Sequence, residues 1–311
     1  MRTVIAISST VLLVSLTLGW GCGSSSLTSA PTPASNLPTC GGVTIGKPGG
    51  GLWTCSFDDE FSGSSLDTKN WTVQLTSNSA YTTGTPTAAA CYVNTPNNVS
   101  VSGGYLNLTA REESAPFTCN DPGGSFTTKY TSGMVSTIYG FNQTYGRFEV
   151  RAELPGTSLK GLQETLWLWP VAQTYGTGPA ESSGEIDFAE FYSEYATLDI
   201  PYIHYSYDKS TVDPAKNTNI VTAYNCSIDY TQFNIYTVVW EPGTMTLMYN
   251  GNTCLVDNYV PNDGLTSPQP FDQPFFMVLT QALGGVGTNA FDSATTPLPA
   301  TLQIDYVRAW K

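Results

Sequence analysis

Residues 145–154, YGRFEVRAEL, decide the fold class. From Arg147 onward, apolar and charged residues alternate one for one. Phe148, Val150, Ala152 and Leu154 share one face, and Arg147, Glu149, Arg151 and Glu153 share the other. Successive side chains of a strand point to opposite sides, so this is a strand with one face in a core. The same period recurs outward in both directions. Tyr105–Arg111 alternates, and further strands are predicted at Ser132–Ile138, Thr165–Trp169, Glu185–Tyr192, Ile203–Tyr207, Tyr236–Trp240, Thr246–Tyr249, Phe275–Thr280 and Leu302–Trp310. Turn clusters punctuate them, among them Pro122-Gly-Gly124 and Glu241-Pro-Gly243, and Asn250-Gly251 reads as the tip of a hairpin. No long stretch carries a helical period. Many short strands with such punctuation predict an all-β sandwich or jelly roll.

Composition narrows the ligand. The 311 residues carry 12 Lys plus Arg against 25 Asp plus Glu, a formal net charge of −13. Nucleic-acid partners need cations to replace phosphate counterions, and anionic membrane surfaces attract basic patches, so the balance argues against a nucleic-acid partner and a polybasic membrane patch. Only 12% of residues are charged while 12% are aromatic, which suits a neutral ligand such as a sugar. A single histidine, His204, rules out a multi-histidine metal centre.

The N-terminus reads as an address. A short basic start at Arg2 precedes an apolar run, Val4–Leu18, too short to span a bilayer comfortably and suited to a signal peptide over residues 1–22. Its end, Leu18-Gly-Trp-Gly-Cys22, is similar to a lipoprotein processing site, so Cys22 is the expected lipidation point. Residues 23–39 are Ser/Thr/Pro-rich and read as a solvated tether, leaving residues 40–311 as one folded domain. The expected location is outside the cytoplasm, either held to the envelope by lipid or secreted. Setting Cys22 aside leaves six cysteines, an even number for an oxidising compartment. Of the 15 pairings that six cysteines allow, the expectation is the set joining sequence neighbours: Cys40–Cys55, Cys91–Cys119 and Cys226–Cys254.

Residues 184–192, GEIDFAEFY, carry the chemistry. Glu185 and Asp187 share a strand face, and Ile186 and Phe188 point to the core. Glu190 has the wrong parity unless one residue is bulged out near Phe188–Ala189. With that bulge, three acids line one face. Crowded carboxylates raise one another's pKa, which suits acid–base work. Cleaving a glycoside with retention needs one ionised carboxylate and one protonated carboxyl close together. Spacing alone leaves two other readings open, a hard-cation site and a solvated acidic face.

Glu185-Ile-Asp-Phe-Ala-Glu190 resembles the bulged ExDxxE signature of glycoside hydrolase family 16, as found in laminarinases. The resemblance extends over most of residues 56–311. It includes Phe57-Asp-Asp-Glu-Phe-Ser-Gly63, Gly104-Tyr-Leu-Asn-Leu108, Tyr145–Arg151, Leu166-Trp-Leu-Trp-Pro170, Ile203-His-Tyr205, Val239-Trp240, Leu283-Gly-Gly285 and Ile304-Asp-Tyr-Val-Arg308. It implies a concanavalin A-like jelly roll with a substrate cleft across a concave sheet. By position, Glu185 is implied as nucleophile, Asp187 as its helper and Glu190 as general acid/base. Trp167 is implied as a sugar platform with a core role as the alternative, Trp169 shares its parity, and His204 is implied at a substrate-binding cleft position beside the acid/base, with a satisfied core histidine as the alternative. Arg151 would contact sugar hydroxyls or pair with an acid of the signature strand. The resemblance also implies a structural calcium at Glu60, Gly104 and Asp305, held through two backbone carbonyls and one carboxylate; catalysis needs no cofactor. The implied activity is retaining endo-hydrolysis of β-1,3- or mixed-linkage β-glucan by a monomer. Galactan hydrolysis, cell-wall transglycosylation and catalytically inert carbohydrate binding are the alternatives. Leu279-Thr-Gln-Ala282 departs from the family pattern, and residues 72–100 and 114–130 match nothing in it; they are expected to be loops bordering the cleft.

Overall fold

A computed structural model describes residues 38–176, 183–205, 220–261, 264–285 and 287–311. The signal segment, the lipidation point Cys22 and all but the end of the tether lie outside the described residues. Two antiparallel-dominated sheets form the fold. One has seven strands in the order Ile220–Thr222, Tyr202–His204, Glu185–Tyr192, Leu162–Pro170, Phe275–Leu283, Met134–Ser136 and Thr72–Val73. The other has eleven strands and is built around Gly146–Glu153, which lies between Phe233–Glu241 and Ala300–Trp310. The only α-helix among the described residues is Thr76–Ser79.

The alternation of residues 147–154 does what it predicts. Phe148, Val150 and Ala152 are fully buried, and they meet Ile186, Phe188 and Phe191 of the opposing sheet in one core. Trp240, Tyr236, Leu302 and Ile304 fill the same layer. Burying each such side chain contributes about 1.5–3 kcal/mol against a large entropy cost. Phe275–Leu283 is buried at every position, Thr280 and Gln281 included, which explains why Phe275–Leu279 reads as an apolar run rather than an alternating one. Asn250 and Gly251 both have positive φ, 51° and 78°, the type I′ geometry expected of an Asn-Gly hairpin.

All three neighbour disulfides are present, Cys40–Cys55, Cys91–Cys119 and Cys226–Cys254. The two unmatched segments are strands rather than loops, although Tyr81, Thr82, Thr83 and Tyr92 of the first do border the cavity that holds Glu185, Asp187 and Glu190. Residues 72–100 hold the strands Thr72–Val73, Thr82–Thr85, Ala88–Tyr92 and Val99–Ser102. Residues 114–130 belong to a long ribbon, Tyr105–Cys119 with Phe126–Ser132. The Thr- and Ala-rich strands lack apolar alternation. Ala88–Tyr92 is held instead by parallel pairing to Phe126–Ser132 and by the Cys91–Cys119 bridge.

Candidate active site

The signature strand enters through Gly184, whose φ is +83°. A Cβ there would lie 2.6 Å from the buried Phe271 ring, so only glycine fits. The strand then pairs with Leu162–Pro170. Leu166 faces Ala189 and Trp167 faces Asp187, so Phe188 is the extra residue of a β-bulge. Both Phe188 and Ala189 are in the core. The bulge turns Glu190 onto the face that carries Glu185 and Asp187, and all three line one cavity of about 1060 Å³.

Asp187 is buried, and Glu185 and Glu190 are half-buried. Nε2 of His204 donates to Oδ2 of Asp187 at 2.9 Å. Gln163 Nε2 donates to Oε1 of Glu190 at 2.6 Å. Burial pushes the Asp187 carboxyl well above the usual range, and the charge of Glu190 adds to the rise. Burial also raises Glu190, opposed by hydrogen bonds from Tyr192 and Gln163 and by the charge of His204. Desolvation therefore favours protonated carboxyls here, which an acid catalyst requires.

Trp167 lines the cavity and donates through Nε1 to Thr280 Oγ1 at 3.0 Å. It meets Trp169 edge-on, with centroids 5.6 Å apart. A smaller groove of about 380 Å³ continues past it, walled by Trp169, Tyr139 and Phe276. His204 is in the cavity as expected. Arg151 is not, and its expected role is corrected on both counts. It lies on the eleven-stranded sheet, where Nη1 meets Asp305 Oδ2 at 2.5 Å and the guanidinium covers the Phe233 ring at 4.4 Å. Alternation correctly set its face, but not which sheet the strand joins.

Glu185, Asp187 and His204 have ligand atoms within 4.8 Å of one another, so they can hold a cation. The same closeness serves a carboxylate nucleophile with a helper. Glu60 follows and Gly104 precedes a strand that pairs with Ala300–Trp310, the two strands meeting it on either side of the bulge between Ile304 and Tyr306 that carries Asp305. The Asp305 carboxylate is already neutralised by Arg151, and the Glu60 side chain accepts from Arg308 at 2.7 Å. With Arg151 on it, the Asp305 carboxylate does not fit a divalent ion unless the guanidinium moves aside.

Sequence reasoning missed Gln163, Tyr81, Tyr192, Tyr202 and Tyr224, all of which line the cavity. Parity offered a signal for two of them, since Gln163 is two places before Thr165 and Tyr192 two after Glu190.

Residues 54–311 match the family model for the GH16 domain of β-porphyranases A–D. The chain belongs to glycoside hydrolase family 16. It is 31% identical over 272 residues to a glucan endo-1,3-β-glucosidase A1 of Niallia circulans, covering 82% of this chain and 37% of that enzyme. It is 31% identical over 183 residues to a keratan-sulfate endo-1,4-β-galactosidase of Sphingobacterium multivorum, covering 58% of this chain and 40% of that one. The chain thus spans less than half the length of these two relatives. Among solved structures, the laminarinase from Rhodothermus marinus superposes with a TM-score of 0.65 at 28% identity, over 83% of this chain and 97% of that one. The family 16 member described here has the jelly-roll architecture of the laminarinases.

Proposed function

We propose that this chain is a retaining endo-glycosidase acting on a neutral β-glucan with β-1,3 or mixed linkages. One observation carries the reading: three acids share a cavity whose described lining residues include no Lys or Arg. Clustered, largely buried acids suit chemistry, and a lining without Lys or Arg suits an uncharged polymer. The cavity continues into the aromatic groove past Trp167, in keeping with binding along a chain rather than at its end.

In the proposed reaction, Glu190 protonates the glycosidic oxygen while the Glu185 carboxylate attacks the anomeric carbon. The C–O bond to the leaving sugar breaks, and an ester to Glu185 forms. Water then attacks the same carbon, Glu190 takes its proton, and the ester bond breaks to free Glu185. Asp187, kept protonated by burial, donates a hydrogen bond to Glu185 and helps it to leave.

A second reading has its own support. The family model is that of β-porphyranases, and one relative is a keratan-sulfate galactosidase, so a galactan is the rival substrate. The lining without Lys or Arg favours an uncharged polymer over a sulfated one. Transfer to a second glycan in place of water would use the same acids. The three disulfides accord with an extracellular enzyme, and we also propose lipid attachment at Cys22.

Reducing-end release should be assayed on laminarin, mixed-linkage glucan and neutral and sulfated galactans. Laminarin or mixed-linkage glucan is expected to be cleaved, with Glu185→Gln and Glu190→Gln each losing at least roughly a hundredfold. Near-wild-type rates in either variant would end the assignment, and cleavage of galactan alone would move it to the rival.

A further inference from the structure

Gln163 stands outside the acid signature, yet its side chain makes a short contact to the proposed acid/base. Its strand neighbour across the ladder is Tyr192, and Glu190 faces Thr165. Gln163 therefore reaches Glu190 along the diagonal, a distance long side chains bridge. Nε2 lies 2.6 Å from Oε1 of Glu190. Both residues line the cavity, as do Tyr192 and His204.

We propose that Gln163 is a positioning residue for proton delivery: its amide fixes Oε1 of Glu190 as the acceptor oxygen and leaves Oε2 to carry the proton. This rests on the acid/base role of Glu190 given above. An amide nitrogen only donates. In a neutral carboxyl the carbonyl oxygen is the better acceptor, so the donor at Oε1 selects the tautomer with its O–H at Oε2. In the second half-reaction Glu190 is a carboxylate, and the same donor stabilises that charge. One contact thus serves both protonation states. It also opposes the upward pull of burial on Glu190, holding the group where it can both give and take a proton.

Gln163→Leu removes the donor, and Gln163→Glu keeps the shape while replacing the amide with a carboxyl. Each is compared with wild type on the glycan and on the dinitrophenyl glycoside of the shortest oligosaccharide cleaved. Dinitrophenolate departs without a proton, so bond cleavage in that substrate bypasses the acid. The expected result is a kcat on the glycan lower by on the order of tenfold, with KM within about twofold. The basic limb of the pH profile should move to higher pH. The burst rate on the dinitrophenyl substrate should stay within about twofold of wild type. Equal losses on both substrates with an unmoved limb would assign Gln163 a merely structural role, and unchanged kcat on the glycan in both variants would also overturn the proposal. Failure of the parent reading is separable, because it shows as an active Glu190→Gln.

Discussion

Both sheets carry acids in alternating strands, and they treat them in opposite ways. On the eleven-stranded sheet, Glu149 is paired with Arg147 and accepts from Tyr306 at 2.9 Å and Thr237 at 3.2 Å. Asp305 is paired with Arg151, and Glu60 with Arg308. On the seven-stranded sheet, the described lining around Glu185, Asp187 and Glu190 offers no guanidinium or ammonium. The partners there are one imidazole, one amide and phenols. An acid beside arginine has its charge neutralised and is fixed as structure. An acid buried without arginine or lysine, as Asp187 and Glu190 are, resists ionisation and keeps a proton to give.

Exchanging amides for acids on the two sheets should separate these roles, and the largest effect lies in the cleft. Glu185→Gln is expected to lose on the order of 10⁴ in kcat while its melting temperature holds or rises. Glu149→Gln should do the reverse, with kcat within about twofold and stability lower by about 3 kcal/mol, because Arg147 is left largely buried without its partner. Paired kinetic and calorimetric measurements check both; a Glu149→Gln enzyme that melts normally but has lost activity would erase the contrast.

A third group of acids sharpens the comparison, since it lies beneath the cleft without arginine. Glu164 is fully buried against Gln281, and burial raises it well above its ordinary value. Asp199 is pushed up to about 8 by burial, against about 3.9 when unfolded. The folded value exceeds the unfolded one, so the stability linked to Asp199 is full below about pH 4 and is lost as pH climbs through about 8. Melting temperature should fall over that window, and Asp199→Asn should flatten the fall. An equal slope in the variant would assign the dependence elsewhere.

The smallest effect concerns the aromatic groove. Trp169→Ala removes a ring from beside Trp167. KM should rise about threefold to tenfold for long oligosaccharides, the loss of roughly 1 kcal/mol of ring contact, with little change for the shortest ones. A uniform rise across chain lengths would place Trp169 in the framework instead.

Much of this arrangement was legible in the sequence, and the failures share a cause. Alternation in residues 147–154 gave a strand and its buried face, because a period of two is a local property. The acid face of 185–190 was legible because its parity conflict demands a bulge, and Phe188 supplies it. Arg151 misled because which sheet a strand joins is set by its neighbours far along the chain, here Phe233–Glu241 and Ala300–Trp310. The same limit hid Thr82–Thr85 and Ala88–Tyr92, whose order comes from a distant ribbon and a disulfide rather than from their own pattern. Gln163 escaped notice because a neutral amide carries meaning only beside the carboxyl it contacts.

The role of Glu185 can be read from a single covalent adduct. A 2-deoxy-2-fluoro dinitrophenyl glycoside forms the glycosyl-enzyme quickly and releases it slowly, so peptide mass spectrometry can locate the ester. One added glycosyl mass on the peptide bearing Glu185, and none in Glu185→Gln, is the predicted result. A label on any other side chain, or no label on an enzyme that cleaves its glycan, would contradict it.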